Sequence, residues 1–207
     1  GLEETVPGWI DSMLEVMAEV GRVLRDDGVL WVNLGDSYGE AGQLLMIPAR
    51  FALAMQDAGW ILRSDVIWAK KSCMPESLNG TRWEGDTLRR GSWRCTSSHE
   101  HIFQFVKGMG YYSDGEAVKT ESNANRRNVW NDISPEPYGG EHYATFPSDL
   151  PRLCIQASTS EAGVCADCGS QWARVVDATE WRPTCTCNAD KVPATVLDPF
   201  AGTGTTL

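Results

Sequence analysis

The sequence predicts an α/β fold, an open sheet joined by crossover helices. Three observations carry this. Apolar residues recur at helical spacing over residues 9–25 and are followed at once by a short, almost continuous apolar run, "VLWVNL", at 29–34. A second helical pattern at 48–57 is followed by strand-like runs at 60–70 and 100–108. A last short apolar run at 194–198 leads into a glycine- and threonine-rich turn, "DPFAGTGTTL". Strands alternating with helices are the pattern of a sheet covered by crossover connections.

In chain order, Ile10, Met13, Leu14, Met17, Val20 and Leu24 lie on one face of the first helix. Asp26-Asp27-Gly28 ends it, with Gly28 suited to a left-handed cap. The run at 29–34 suits a strand buried on both faces, as in a parallel sheet, and "GDSYG" follows as a loop at its carboxyl end. The second helix opens on Pro48, tolerated in a first turn, and is followed by Gly59. Between "WILRSDVIWAK" and "EHIFQFVKG" lies a polar segment, 71–99, read as loop; 109–141, rich in Asn, Gly, Pro and Ser, is also read mostly as loop. The final strand is "ATVLD", 194–198.

The 207 residues can build one sizeable core, or a core and a small module. With 42% hydrophobic and 22% charged residues the composition is globular and not that of a disordered chain. No stretch reaches the roughly 20 apolar residues of a membrane helix, and no basic-then-apolar leader opens the chain. No membrane partner is therefore expected. The net charge of −10 argues mildly against a nucleic-acid partner, but residues 82–94, "RWEGDTLRRGSWR", set four arginines against two acids. That segment reads equally as a solvated loop or as one that contacts phosphates.

Asp198 falls at the end of the last predicted strand, where Pro199 stops the ladder. Gly202 and Gly204 permit close backbone approach, and Thr205 or Thr206 could cap a following helix. The turn is not a phosphate loop, because no lysine follows the glycines. Nor is it the dinucleotide fingerprint, whose sixth position is here Leu207.

"DPFAGTGTT" resembles the S-adenosylmethionine loop of DNA amino-methyltransferases, which methylate adenine N6 or cytosine N4. Upstream, "HYATFPSDL" (142–150) is similar to the helix-entry motif that packs beside the cofactor, and "RNVW" (127–130) to a segment found before it. "GRVLRDDGVLWVNLGDSY" (21–38) and the two ends of 63–108 resemble the segments that follow the catalytic motif. The order is that of the permuted, β-class-like members, in which the catalytic half comes first. The resemblance implies a Rossmann-like methyltransferase sheet, incomplete here. The expected Asp/Ser-Pro-Pro-aromatic motif is not found, and neither is the acidic strand that would hold the cofactor ribose. The chain is therefore read as an internal fragment, expected to be inactive alone.

The chemistry implied is methyl transfer to an exocyclic amine of a base taken out of the stack. The acceptors that localise the amine lone pair belong to the missing motif, so no residue here is assigned as catalytic. For S-adenosylmethionine the resemblance nominates Asp198, Pro199, Phe200, Ala201, Gly202, Thr203, Gly204 and Thr205, flanked by Thr145, Phe146 and Pro147. For Phe146 and Pro147, core packing is the rival reading. Asn33, Gly35 and Asp36 would line the target pocket, or Asn33 and Asp36 would stabilise a turn. Lys70, Lys71, Arg82, Arg89, Arg90 and Arg94 are the candidate contacts to double-stranded DNA. Arg82, Arg89 and Arg90 lie within, and Arg94 adjoins, an apparent insertion, "GTRWEGDTLRRGSW", relative to the family's shorter connection. Where such enzymes serve restriction–modification, a cognate restriction nuclease is the further partner.

Of seven cysteines, Cys165-x-x-Cys168 and Cys185-x-Cys187 form two close pairs separated by residues 169–184. Four thiolates so paired can close a tetrahedral zinc site; four free thiols or a redox pair are the alternatives. Cysteines this unevenly clustered fit metal binding in a reducing, cytoplasmic setting better than a disulfide scaffold. The expected division is a methyltransferase core, 1–160 and 191–207, with a zinc-ribbon-like insert at 161–190. The rival function is a non-catalytic, zinc-stabilised nucleic-acid-binding module on a methyltransferase fold.

Overall fold

The computed structural model describes all residues except 1, 2, 41, 74, 135–145, 176–179, 203 and 207. Helix α1 (Val6–Val23) begins where Thr5 Oγ1 accepts the Gly8 N–H at 3.2 Å, with a proline in its first turn. Strand β1 (Val29–Leu34), helix α2 (Ile47–Asp57) and strand β2 (Ile61–Ala69) follow. The segment 71–99 is not all loop. It carries a hairpin of β3 (Arg82–Glu84) and β4 (Thr87–Arg89) before β5 (His99–Val106). A 3-10 turn at Glu116–Val118 and the two-residue β6 (Val129–Trp130) precede helix α3 (Asp149–Ser158). Four short strands complete the described elements: β7 (Val164–Cys165), β8 (Trp172–Arg174), β9 (Trp181–Pro183) and β10 (Lys191–Val192).

The main sheet has the order β1-β5-β2-β6. The crossover helix α2 does join two parallel strands, β1 and β2, but β5 lies between them and runs antiparallel to both. The expectation of a parallel strand buried on both faces therefore fails for β1. It is an antiparallel edge, and only its Val32 is buried. Its apolar run still has a use, because α1 and α2 cover one sheet face and α3 the other.

Period-2 alternation along β5 divides the core. Phe103 and Phe105 join Met17, Val32, Phe51, Ala52 and Met55 on the α1/α2 side. Ile102 joins Val66, Trp68, Trp130, Leu150 and Leu153 on the α3 side. Phe51 is fully buried and meets Phe105 edge to face, with centroids 6.2 Å apart.

Two further expectations are corrected. Gly28 does not adopt a left-handed conformation; a Cβ there would lie 2.6 Å from the Leu24 side chain and 3.1 Å from the Arg25 carbonyl oxygen, so any larger residue would have to displace Leu24. Gly59, at φ +94°, is the left-handed residue after α2. Residues 194–198 form no strand. No described strand lies alongside to take their ladder bonds, and Leu197 is 60% exposed.

Candidate functional site

The loop after β1 is tied by its own polar groups. Asp36 Oδ1 accepts the Ser37 N–H at 2.8 Å and the Ile47 N–H at 3.0 Å. It thus places a negative charge on the first amide of α2, where the macrodipole favours it. Asn33 Nδ2 donates across the sheet to the His101 carbonyl at 3.2 Å. Gly35 faces Glu100, and a Cβ there would make ordinary contact at 3.5 Å. All three stand together at the carboxyl end of β1, and the hydrogen bonds of Asn33 and Asp36 are those of a stabilised turn.

The basic segment beside them is only partly available for phosphate. Lys70 pairs with Glu100 and lies 5.0 Å from the Trp68 ring; Lys71 donates to Ser134 at 3.0 Å. Arg82 and Arg89 both bind Glu84, which lies two residues along the same strand from Arg82 and across the hairpin from Arg89. Arg94 forms a two-pronged pair with Glu76, which holds the Glu76 carboxyl below its usual range. The Arg94 guanidinium also stacks 3.7 Å from the Tyr38 ring centroid. Arg90 is exposed.

Phe146 packs against the α3-side core, and the Pro147 carbonyl accepts the Leu150 N–H at 3.0 Å as α3 begins. Core packing is thus satisfied by both. Thr145 lies outside the described residues. The Asp198 turn is self-contained: Oδ1 accepts the Phe200 N–H at 2.9 Å, and Oδ2 accepts the Thr206 hydroxyl. The Gly204 N–H returns to the Ala201 carbonyl at 2.7 Å. Gly202 and Gly204 lie at φ +53° and +82°, where a side chain would be strained. A Cβ on Gly202 would meet only the Phe200 carbonyl, at 3.8 Å, so this backbone is open to a ligand. Phe200 itself is 58% exposed, and Pro199 and Thr205 flank the turn; Thr203 is outside the described residues. A separate cleft of about 430 Å³ lies between the end of α3 and residues 191–196, lined among others by Ile155, Thr159, Gly163, Pro193 and Val196; no described residue of the Asp198 turn lines it.

The four clustered cysteines meet: their sulfur atoms all lie within 4.8 Å of one another. Cys165 and Cys168 sit on a tight turn in which the Gly169 N–H returns to the Cys165 carbonyl at 2.8 Å, with Gly169 at φ +71°. Sulfur atoms this close share charge poorly. The Ser170 hydroxyl and backbone pull Cys168 down to about 6, and a thiolate there pushes Cys187 up to about 12. A cation in their midst would let all four ionise. Cys154, by contrast, is a buried thiol whose surroundings push it up to about 12.

The ribbon that presents these cysteines is seated on the core. Lys191 and Val192 of β10 pair with Cys165 and Val164 of β7, and β8 pairs with β9. Arg25 donates to the Cys168 carbonyl at 2.9 Å, and the Tyr112 hydroxyl to the Trp172 carbonyl at 3.2 Å. Arg174 clasps Asp114, whose side chain is 4% exposed.

Residues 1–171 match the DNA methylase family. The chain belongs to the DNA methylase family. Among curated relatives, Type II methyltransferase M.SmaI of Serratia marcescens is 32% identical, the match covering all of this chain and 67% of that protein. M.Cfr9I of Citrobacter freundii is 38% identical over 77% of this chain and 59% of its own length. The chain thus spans about three-fifths to two-thirds of these relatives. The cytosine-N4-specific PvuII DNA methyltransferase shares its fold, with a TM-score of 0.63 and 22% identity over 77% of this chain and 59% of that one. A DNA modification methylase of Thermus thermophilus, solved with S-adenosylmethionine, has a TM-score of 0.55 and 21% identity over 97% and 65% of the two chains.

Against this DNA methylase background, two features escaped the sequence reading. Trp83 and Trp93 are 67% and 72% exposed on the 71–99 segment; aromatics interleaved with arginines were the available signal. Tyr38 receives Arg94 only through tertiary approach, for which no local pattern exists.

Proposed function

We propose that the protein carrying this chain transfers a methyl group from S-adenosylmethionine to the exocyclic amine of adenine or cytosine in double-stranded DNA. Family membership is the observation that carries the reading, and the Asp198 turn offers it a place. Asp198, Pro199, Phe200, Ala201, Gly202, Thr203, Gly204 and Thr205 would hold the cofactor, with Thr145, Phe146 and Pro147 beside it. The open backbone at Gly202 and the exposed Phe200 ring suit a flat, polar ligand. S-adenosylmethionine would supply an electrophilic sulfonium methyl. The turn's part is positional: Asp198 fixes the loop from both ends, so that little ordering remains to be done on binding. Asn33, Gly35 and Asp36 would border the base pocket. None of residues 1–207 is assigned the amine-acceptor role. In the complete system a cognate restriction nuclease would be the counterpart. Calorimetric titration with S-adenosylhomocysteine tests the cofactor site: saturable binding is expected, and no heat at any ligand concentration would overturn the reading.

The same proposal gives Cys165, Cys168, Cys185 and Cys187 one structural zinc ion, as the closed tetrathiolate set suggests. Residues 161–190 would then be a zinc ribbon set into a core of 1–160 and 191–207. Metal analysis of protein prepared without chelator should find about one zinc per chain and none in the Cys165→Ser, Cys168→Ser double variant. Metal-free wild-type protein would refute it.

A further inference from the structure

The geometry points to the β3–β4 hairpin and its neck as a base-stacking wedge for double-stranded DNA, with Trp83 on the hairpin and Trp93 at the neck beside Gly80 as the stacking rings and Arg90 as a phosphate contact. The inference rests on the DNA methylase reading and gives it a surface for the partner.

The register sorts the hairpin's side chains. Arg82 pairs with Arg89, Trp83 with Leu88, and Glu84 with Thr87. Alternation sets Arg82, Glu84, Thr87 and Arg89 on one face and Trp83 and Leu88 on the other. The first face neutralises itself, since Glu84 binds both arginines. The second is uncovered: Trp83 is 67% and Leu88 36% exposed.

So small a hairpin has no core of its own. It is held at the neck. The Gly80 N–H donates to the Ser92 carbonyl at 3.0 Å, and the Thr81 hydroxyl to the Gly91 carbonyl at 3.2 Å. A Cβ on Gly91 would stand 2.7 Å from the Gly80 carbonyl oxygen, so the two backbones approach as only glycine allows. At the tip, Gly85 supplies φ +60° for the two-residue turn. The indoles are therefore presented on a fixed frame. Arg94 anchors that frame through Glu76 and through its stack on Tyr38. Tyr38 lies two residues beyond Asp36, so Arg94 ties the end of this segment to the loop that carries the candidate base pocket.

Charge selects the occupant. In a chain of net charge −10, residues 82–94 carry four arginines against two acids; Arg82, Arg89 and Arg94 are held by Glu84 and Glu76, which leaves the exposed Arg90 as the arginine a phosphate can meet. A duplex offers phosphates to the arginine and flat faces to the indoles. When a base leaves the stack it vacates a planar gap, and an inserted side chain can fill it.

The test uses short fluorescent duplexes of random sequence, one intact and one with a single abasic site, titrated by anisotropy with the gene product that contains these residues. The wild type should prefer the abasic duplex. Trp83→Ala and Trp93→Ala should each weaken that complex about tenfold, the scale of one lost stack, and abolish the preference. Trp83→Phe should keep most of it. Arg90→Ala should lower the salt slope by about one while leaving the preference. Both indoles are exposed, so thermal melting should not change. Wild-type affinity in both tryptophan variants, or no preference in the wild type, would overturn the wedge. S-adenosylhomocysteine binding measured on the same samples separates the causes. If it persists, only the wedge has failed; if it is also absent, the methyltransferase reading has failed.

Discussion

Asp198 holds its turn with both carboxylate oxygens, one on the Phe200 amide and one on the Thr206 hydroxyl. Asp198→Ala should weaken S-adenosylmethionine binding roughly tenfold, the order expected when a charged acceptor is lost, and Asp198→Asn should recover part of it by keeping one oxygen. Equal calorimetric affinities in all three proteins would mean the turn is not the cofactor loop. Asp114 makes a second residue-scale prediction. It is almost fully buried against Arg174 and also accepts the Ala117 N–H at 3.3 Å. Asp114→Ala would strand the arginine and should cost about 2–3 kcal/mol in denaturant unfolding. Neither Asp114 nor its partner was legible in the sequence, because an ion pair sixty residues apart leaves no local pattern. Asn33 and Asp36 were legible as a polar pair after a strand, but their partners, His101 and Ile47, come from elsewhere in the fold.

Helices α1 and α2 and strands β2 and β5 lie within a few residues of where apolar periodicity set them, because each buries a long, regular stripe. The β3–β4 hairpin was missed for the opposite reason: its three-residue strands bury nothing and show no apolar alternation. The strand expected at 194–198 had the right composition, but a strand exists only beside another one. In the core, Phe51→Ala should cost about 3–5 kcal/mol, because a fully buried ring leaves a cavity between α2 and β5; a loss under about 1 kcal/mol would mean the site collapses freely. For the cysteine ribbon, chelation should expose 163–190 to protease while leaving the main sheet's amides protected from exchange. Its strands are two or three residues long and cannot close alone. Acid should release the metal too, since ligand thiols must stay ionised. Equal protease resistance with and without chelator would contradict a structural metal.

At the scale of the whole molecule, α1 and α2 cover one face of a four-stranded mixed sheet and α3 the other. The ribbon is pinned to the core through Arg25, Tyr112 and Asp114. No helix among the described residues is long and apolar enough to cross a membrane. The α/β class was legible because helix and strand periods alternate along the chain. The insertion of β5 between β1 and β2 was not, because strand direction is decided by which edge is left open rather than by composition. What unites these parts is the claim that the loop after β1, the Trp-bearing hairpin and the Asp198 turn serve one reaction at a DNA base amine. The most direct measurement incubates the gene product containing these residues with methyl-labelled S-adenosylmethionine and duplex DNA, digests the DNA to nucleosides and separates them. The account predicts label in N6-methyladenine or N4-methylcytosine; label on a ring carbon, or none in the DNA, would contradict it.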